Sequence, residues 1–139
     1  MYSLDHYLHI NAEINKVYEA ITTIDGLQSW WTTFTSGSTK LNEIINFDFP
    51  PNFYNKMEVV EMIENKKVTW KVIDGESLWI DTFITFSLDT NDGKTRMRFS
   101  HSNWVEKKDF FAACNFTWAR YLESLRQLCE TGQGKPFTN

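Results

Sequence analysis

His101 is the residue in this sequence best placed to do chemistry. It closes an alternating run, Thr95 to Asn103, in which Met97, Phe99 and His101 share one face while Arg96, Arg98 and Ser100 share the other. Strand side chains repeat every two residues, so the face carrying the apolar pair should be the inner one. An imidazole there can orient a polar group of a ligand or act as a general base. The plainer reading, and the one the surroundings favour, is a core ring satisfied by a backbone group. A base needs a second titratable group facing it. The nearest candidate, Asp81, has the strand phase of Trp79 and Phe83, opposite the apolar face, and reads as a solvated carboxylate. Cys114 reads as a small core residue, since only His101 could supply a cation to lower its thiol pKa. Asn115 falls between Phe111 and Trp118, near an apolar helical stripe. A buried amide there must be hydrogen-bonded, either to a strand or to a ligand.

Other chemistries lack their residues. His6 and His9 lie far from His101 in sequence, and no acidic or thiol group stands at a metal-site spacing, so neither a metal nor a cofactor is expected. There is no phosphate loop, zinc helix motif, nucleophile elbow or dinucleotide fingerprint. The net charge is −4 with both signs interspersed, and the longest basic element is Lys66-Lys67. Nucleic acid and anionic membrane surfaces are therefore poor partners. No apolar run approaches the roughly 20 residues needed to span a bilayer. Cys114 and Cys129, if on one helix, are separated by about 22 Å, too far for a disulfide. Two unpaired thiols and no signal peptide point to the cytoplasm. Asn115-Phe116-Thr117 matches a glycosylation sequon by chance.

The elements that must position these residues follow from periodicity. Leu4 to Ile10 reads as a strand, and Asn11 as the N-cap of a helix carrying Ile14, Val17, Tyr18 and Ile21, with Glu13 in its first turn. Leu27 to Trp31 adds a short helical turn, and Thr32 to Lys40 a loop or ragged strand. Strands are expected around Ile45–Phe49, Met57–Ile63, Val68–Val72, Leu78–Leu88 and Thr95–Asn103, with turns at Pro50-Pro51-Asn52, Glu64 to Lys67, Asp74-Gly75 and Asn91-Asp92-Gly93. In the Leu78–Leu88 strand, Ile80, Thr82, Ile84, Phe86 and Leu88 share a face. Trp79 is out of phase with it, either exposed or turned inward by a bulge. A last helix over about Lys107 to Glu130 bears the stripe Phe111, Cys114, Trp118, Tyr121, Leu125 and Leu128, widened by Phe110 and Leu122, and Gly132, Gly134 and Pro136 stop it. The whole, residues 1–139, reads as one α+β domain: an antiparallel sheet curved around the last helix. Aromatics make up 16% of the chain, with 6 Trp and 11 Phe. So many large rings make a bulky core, and a sheet and helix that cannot close over all of them leave a cavity.

On these residues the chain resembles the START-like (SRPBCC, birch-pollen-allergen-like) superfamily, and within it the branch of activator of heat-shock-chaperone ATPase homologue 1-like proteins. The resemblance rests on Val17 to Thr22, Gly26-Leu27-Gln28-Ser29-Trp30-Trp31, Val68-Thr69-Trp70, Thr82 to Phe86, Thr95-Arg96-Met97, His101-Ser102-Asn103-Trp104, Trp118 to Leu122, Ser124-Leu125 and Gly132 to Pro136. It covers nearly the whole chain. It implies a helix-grip fold with two short helices after the first strand, and bacterial relatives presumed to bind hydrophobic ligands. It also implies a eukaryotic relative that stimulates a chaperone. Where the family has glycine two residues after the strand histidine, this chain has Asn103.

The expected function is binding of a small hydrophobic or amphipathic molecule between the sheet and the first half of the last helix. Trp30, Trp31, Phe47, Phe49, Trp70, Trp104, Phe111 and Trp118 would form walls, while His101 and Asn115 would fix a polar group. An enzyme of the cyclase or hydrolase kind using His101, and a chaperone-regulating interaction module, are the alternatives. The sequence also allows a homodimer.

Overall fold

The computed structural model describes residues 1–139. The chain runs β1 (Tyr2–Ile10), α1 (Ile14–Thr22), α2 (Ile24–Trp30), β2 (Phe34–Gly37), β3 (Ile44–Phe49), β4 (Phe53–Ile63), β5 (Lys67–Gly75), β6 (Phe83–Asn91), β7 (Lys94–Trp104) and α3 (Asp109–Thr131). The strands form one antiparallel sheet in the order β1-β7-β6-β5-β4-β3-β2. Its curved inner face grips α3, as the helix-grip reading expects. Alternation dictates what faces inward: Leu4 and Ile10, Ile45 and Phe47, Met57 and Val59, Val68, Trp70 and Val72, Ile84 and Phe86, Met97, Phe99 and His101 are all buried.

The α3 stripe differs in detail from the expectation. Phe111, Cys114, Trp118, Leu122, Leu125 and Cys129 are buried, a run of three- and four-residue steps, while Tyr121 and Leu128 lie half-buried along its flank. The helix stops at Gly132, whose φ of +87° makes it the left-handed residue of the C-cap.

Three local expectations are corrected. Asn11 does not cap α1. Glu13 holds the N-cap position without a side-chain bond, and the Asn11 N–H instead donates to Glu130 Oε2 at 2.8 Å, tying the start of α1 to the end of α3. Asp74-Gly75 does not turn the chain, because β5 continues through it. Gly75 has φ +120°, and a Cβ there would stand 2.3 Å from the Tyr54 carbonyl oxygen, so glycine lets β4 and β5 approach. The strand expected from Leu78 begins only at Phe83. Residues 76–81 form a turn, closed by Trp79 N–H and Ile80 N–H to the Glu76 carbonyl and by Asp81 N–H to the Val72 carbonyl. Ile80 therefore leaves the inner face and is 39% exposed.

The two short helices and the C-terminal tail lock together through polar groups. Thr23 caps α2 by accepting from the Gly26 N–H at 3.0 Å. A Cβ on Gly26 would meet the Ala20 carbonyl oxygen at 2.6 Å, so the crossing of α1 and α2 needs glycine. That same carbonyl accepts the buried Trp30 indole N–H at 2.9 Å. Ser124 of α3 donates to the Trp30 carbonyl at 2.8 Å and accepts from the Lys135 N–H at 2.7 Å. The Phe137 N–H then donates to the Trp31 carbonyl at 2.7 Å. Replacing Ser124 with Ala removes the hydroxyl that pairs the buried Trp30 carbonyl and the part-buried Lys135 N–H. We expect a loss of about 1–3 kcal/mol, read as a fall in melting temperature of roughly 3–10 °C by differential scanning calorimetry.

Candidate functional site

An apolar pocket of about 240 Å³ opens between the first half of α3 and one end of the sheet. The sheet contributes Phe49 from the end of β3 and Phe53 from the start of β4, which pair across the Pro50-Pro51-Asn52 connection. Trp31 closes it from the end of α2, and Trp79 from the 76–81 turn. Phe110, Ala113, Cys114, Thr117, Trp118 and Tyr121 supply the α3 side. Thr117 is the one lining residue that is not hydrophobic, and none is charged. The rings pack on one another: Trp31 lies 4.9 Å from Trp118 and 5.7 Å from Phe49, Trp79 stacks 6.1 Å from Trp118, and Phe53 meets Trp79 edge-on at 5.7 Å.

Behind this wall, His101 is fully buried and both of its nitrogens are used. Trp118 Nε1 donates to His101 Nδ1 at 3.1 Å, and His101 Nε2 lies 2.8 Å from Thr82 Oγ1. An indole nitrogen can only donate. Nδ1 must therefore be the bare nitrogen, Nε2 must carry the proton, and Nε2–H donates to Thr82. The Thr82 hydroxyl in turn donates to the Trp79 carbonyl. The Trp79 indole N–H closes the circuit on Cys114 Sγ at 3.4 Å, one turn of α3 before Trp118. The imidazole is enclosed by Trp79, Trp104 and Trp118, with centroids 4.6, 4.8 and 6.1 Å away, and no charged group faces it. Burial drives its pKa down to about 3. Burial likewise pushes the Cys114 thiol up to about 11, the indole bond opposing only in part, and pushes Cys129 to the same value. Neither thiol is poised as a nucleophile.

The ten residues expected around a ligand divide three ways. Trp31, Phe49 and Trp118 line the pocket. Trp30, Phe47, Trp70, His101, Trp104 and Phe111 are buried core instead: Phe47 and Trp70 lie one inner-face step deeper, beneath Trp31 at 4.3 and 6.2 Å. Asn115 is exposed, because one residue past Cys114 turns it about 100° away from the pocket side of α3. Phe53, Trp79, Ala113, Cys114, Thr117, Phe110 and Tyr121 were not anticipated as lining. Phe53 was legible, since the Asn55 and Met57 alternation extends back to it. Phe110 and Tyr121 already sat on the helical stripe. Trp79, expected either to be exposed or to be turned inward by a bulge, is 5% exposed, and a turn rather than a bulged strand aims it inward. Asp81 is exposed as expected. Its φ of +69° and that of Asn103, +71°, belong to a left-handed pair of positions joined by Asn103 Nδ2 donating to the Asp81 carbonyl at 2.9 Å. Asparagine thus fills, with a side chain that tolerates this conformation, a place the resembling family gives to glycine.

The profile of the family described as Activator of Hsp90 ATPase homolog 1-like protein matches residues 11–130. No curated protein matches the chain. Among solved structures, the solution structure of the Aha1 dimer from Colwellia psychrerythraea is 39% identical and superposes with a TM-score of 0.88, covering 96% of this chain and 100% of that one. A protein of Mesorhizobium loti, 17% identical, gives 0.80 over 91% and 96% of the two chains, and one of Bacillus halodurans, 20% identical, gives 0.75 over 94% and 98%. These last two share the fold.

The His101 environment has a pH consequence of definite sign. The folded pKa is depressed to about 3 from 6.5, so below 6.5 the unfolded chain binds a proton that the folded chain refuses. The stabilisation is whole above about pH 6.5 and is lost as the pH falls toward 3. At pH 5 the loss is about 2 kcal/mol, set by the unfolded-state pKa alone. We expect chemical denaturation to show stability falling between pH 7.5 and 5, and His101→Gln to flatten that slope. An unchanged slope in the folded variant would mean that other groups carry it.

Proposed function

The chain belongs to the Activator of Hsp90 ATPase homolog 1-like family, and from that premise we propose that it binds a small hydrophobic or amphipathic molecule in the pocket between Phe49, Phe53, Trp79 and α3. The observation that carries this reading is the lining: seven aromatic residues from the strands, the helices and the 76–81 turn, with Phe110, Trp118 and Tyr121 the α3 contributors, converge on a concave space and leave it open. Pockets for small molecules are of this composition. The absence of charge among the lining side chains favours a neutral ligand, because an ion would be desolvated without compensation.

Binding is favoured over catalysis by the state of His101. A general base needs a free lone pair near the ligand. Here Nδ1 holds the Trp118 proton, and Trp118 itself stands on the pocket side. The cyclase- or hydrolase-like alternative would have to open that circuit first. A chaperone-regulating surface is less favoured. The outer face of the sheet carries ion pairs, Arg96 and Arg98 with Asp89 and Lys67 with Glu61, beside exposed apolar side chains such as Tyr7, Tyr54 and Ile73. A homodimer forms part of the proposal, supported by the Colwellia relative, which was solved as a dimer. No helix is long and apolar enough to cross a membrane. Two free, buried cysteines suit the reducing cytoplasm, where we place the protein.

Native mass spectrometry of freshly purified protein, repeated after denaturation, should reveal a co-purified neutral molecule. With the neutral fluorophore N-phenylnaphthylamine as probe, wild-type protein should enhance its emission. Ala113→Trp, which places an indole in the pocket from an exposed helix position, should weaken binding at least about tenfold and shift the melting temperature little. Equal binding by the folded variant would move the site elsewhere.

A further inference from the structure

Asn55 is fully buried, yet neither atom of its amide has a protein partner. Buried amides almost always find partners for both ends. Asn55 occupies the inner face of β4, the next inward residue after Phe53, and its register partners are Phe47 in β3 and Gly75 in β5. Phe53 lines the pocket, and Phe47 carries the Trp31 ring 4.3 Å away. Asn55 is therefore one strand repeat, roughly 7 Å, along β4 from the pocket-lining Phe53, and stands beside the Phe47 that Trp31 covers, although it is not itself part of the pocket lining. Glycine keeps its place open: a Cβ at position 75 would stand 2.8 Å from Asn55 Oδ1.

We propose that Asn55 is the polar seat of the pocket, and that its ligand carries a hydrogen-bond donor and acceptor on the two sides of one carbonyl carbon, as in a lactam, a carboxamide or a protonated carboxylic acid, on an uncharged apolar frame. The proposal rests on the ligand-binding reading above. Asn55 Oδ1 accepts from the ligand's N–H or O–H, and Nδ2 donates to its carbonyl, so both orphaned atoms are satisfied at once. An ionised carboxylate would suit Nδ2 but would set its second oxygen against Oδ1, with no cation in the lining to offset it. The head group reaches the amide past Phe53, the half-buried ring above it.

The test is a minimal pair of bicyclic probes, the lactam quinolin-2-one and its N-methyl derivative, in which a methyl group replaces the donor hydrogen. Each is titrated into isotope-labelled protein and followed by the indole N–H signals of Trp79 and Trp118 and the side-chain amide of Asn55. Wild-type protein should bind the lactam at least about tenfold more tightly, with the Asn55 amide signals moving. In Asn55→Leu the difference should vanish while N-methyl binding persists. The wild-type comparison stands alone if that variant does not fold. Equal affinities with shifting Trp79 and Trp118 signals would overturn the Asn55 seat and leave the pocket reading intact. No movement of the indole signals with either probe or with N-phenylnaphthylamine would overturn both.

Discussion

The indole of Trp118 can donate a hydrogen bond but never accept one, and the interior is arranged around that constraint. Because Trp118 points its N–H at His101 Nδ1, the imidazole has one tautomer, one set of partners and no free lone pair. Thr82 must receive from Nε2 and pass its own proton to the Trp79 carbonyl. That bond holds the 76–81 turn against the sheet, and the turn delivers the Trp79 ring to the pocket, where its N–H returns to α3 at Cys114. Helix, strand and turn are therefore held in one register by a closed polar circuit inside an aromatic core. Such circuits are strong only when every member is satisfied, and this one is.

The circuit also explains why the grip is open at one end. Toward the C-terminal half of α3 the stripe narrows to Leu122, Leu125 and Cys129, and the two short helices and the tail close over it through Trp30, Ser124 and Phe137. Toward the N-terminal half, flat rings must pack edge-to-face and stacked against one another, and their fixed separations of about 5–6 Å leave space that no side chain enters. The cavity is thus a consequence of ring geometry, with Ala113 and Thr117 too small to fill it. Trp118, whose ring lines the space while its N–H reaches the buried His101, marks the boundary with the packed core.

Much of the architecture was legible in the residues. Alternation in β3, β5 and β7 and the three- and four-residue steps of α3 report burial directly, so His101 was correctly turned inward with Met97 and Phe99. The candidate site was read less well, for a specific reason. Periodicity tells which face of an element is buried but not how deep: Phe47 and Phe49 alternate identically, yet Phe47 is core and Phe49 is wall. Asn115 misled because a helical stripe has an angular width, and one residue past Cys114 already lies outside it. Asp74-Gly75 misled because a glycine with positive φ serves a close strand approach as readily as a turn.

What the sequence by itself determined is the order of elements, the sheet and helix faces, the family resemblance and the uncharged, aromatic character of the interior, since each depends on local spacing or on composition. Only the tertiary structure decided the rest. It turned Trp79 inward, left Asn55 without a partner, committed both nitrogens of His101 and placed the opening between Phe49, Phe53 and α3. Each of these depends on distances between residues far apart in the chain, where a ring, a proton or an amide is defined by what the fold sets beside it and not by its neighbours in sequence.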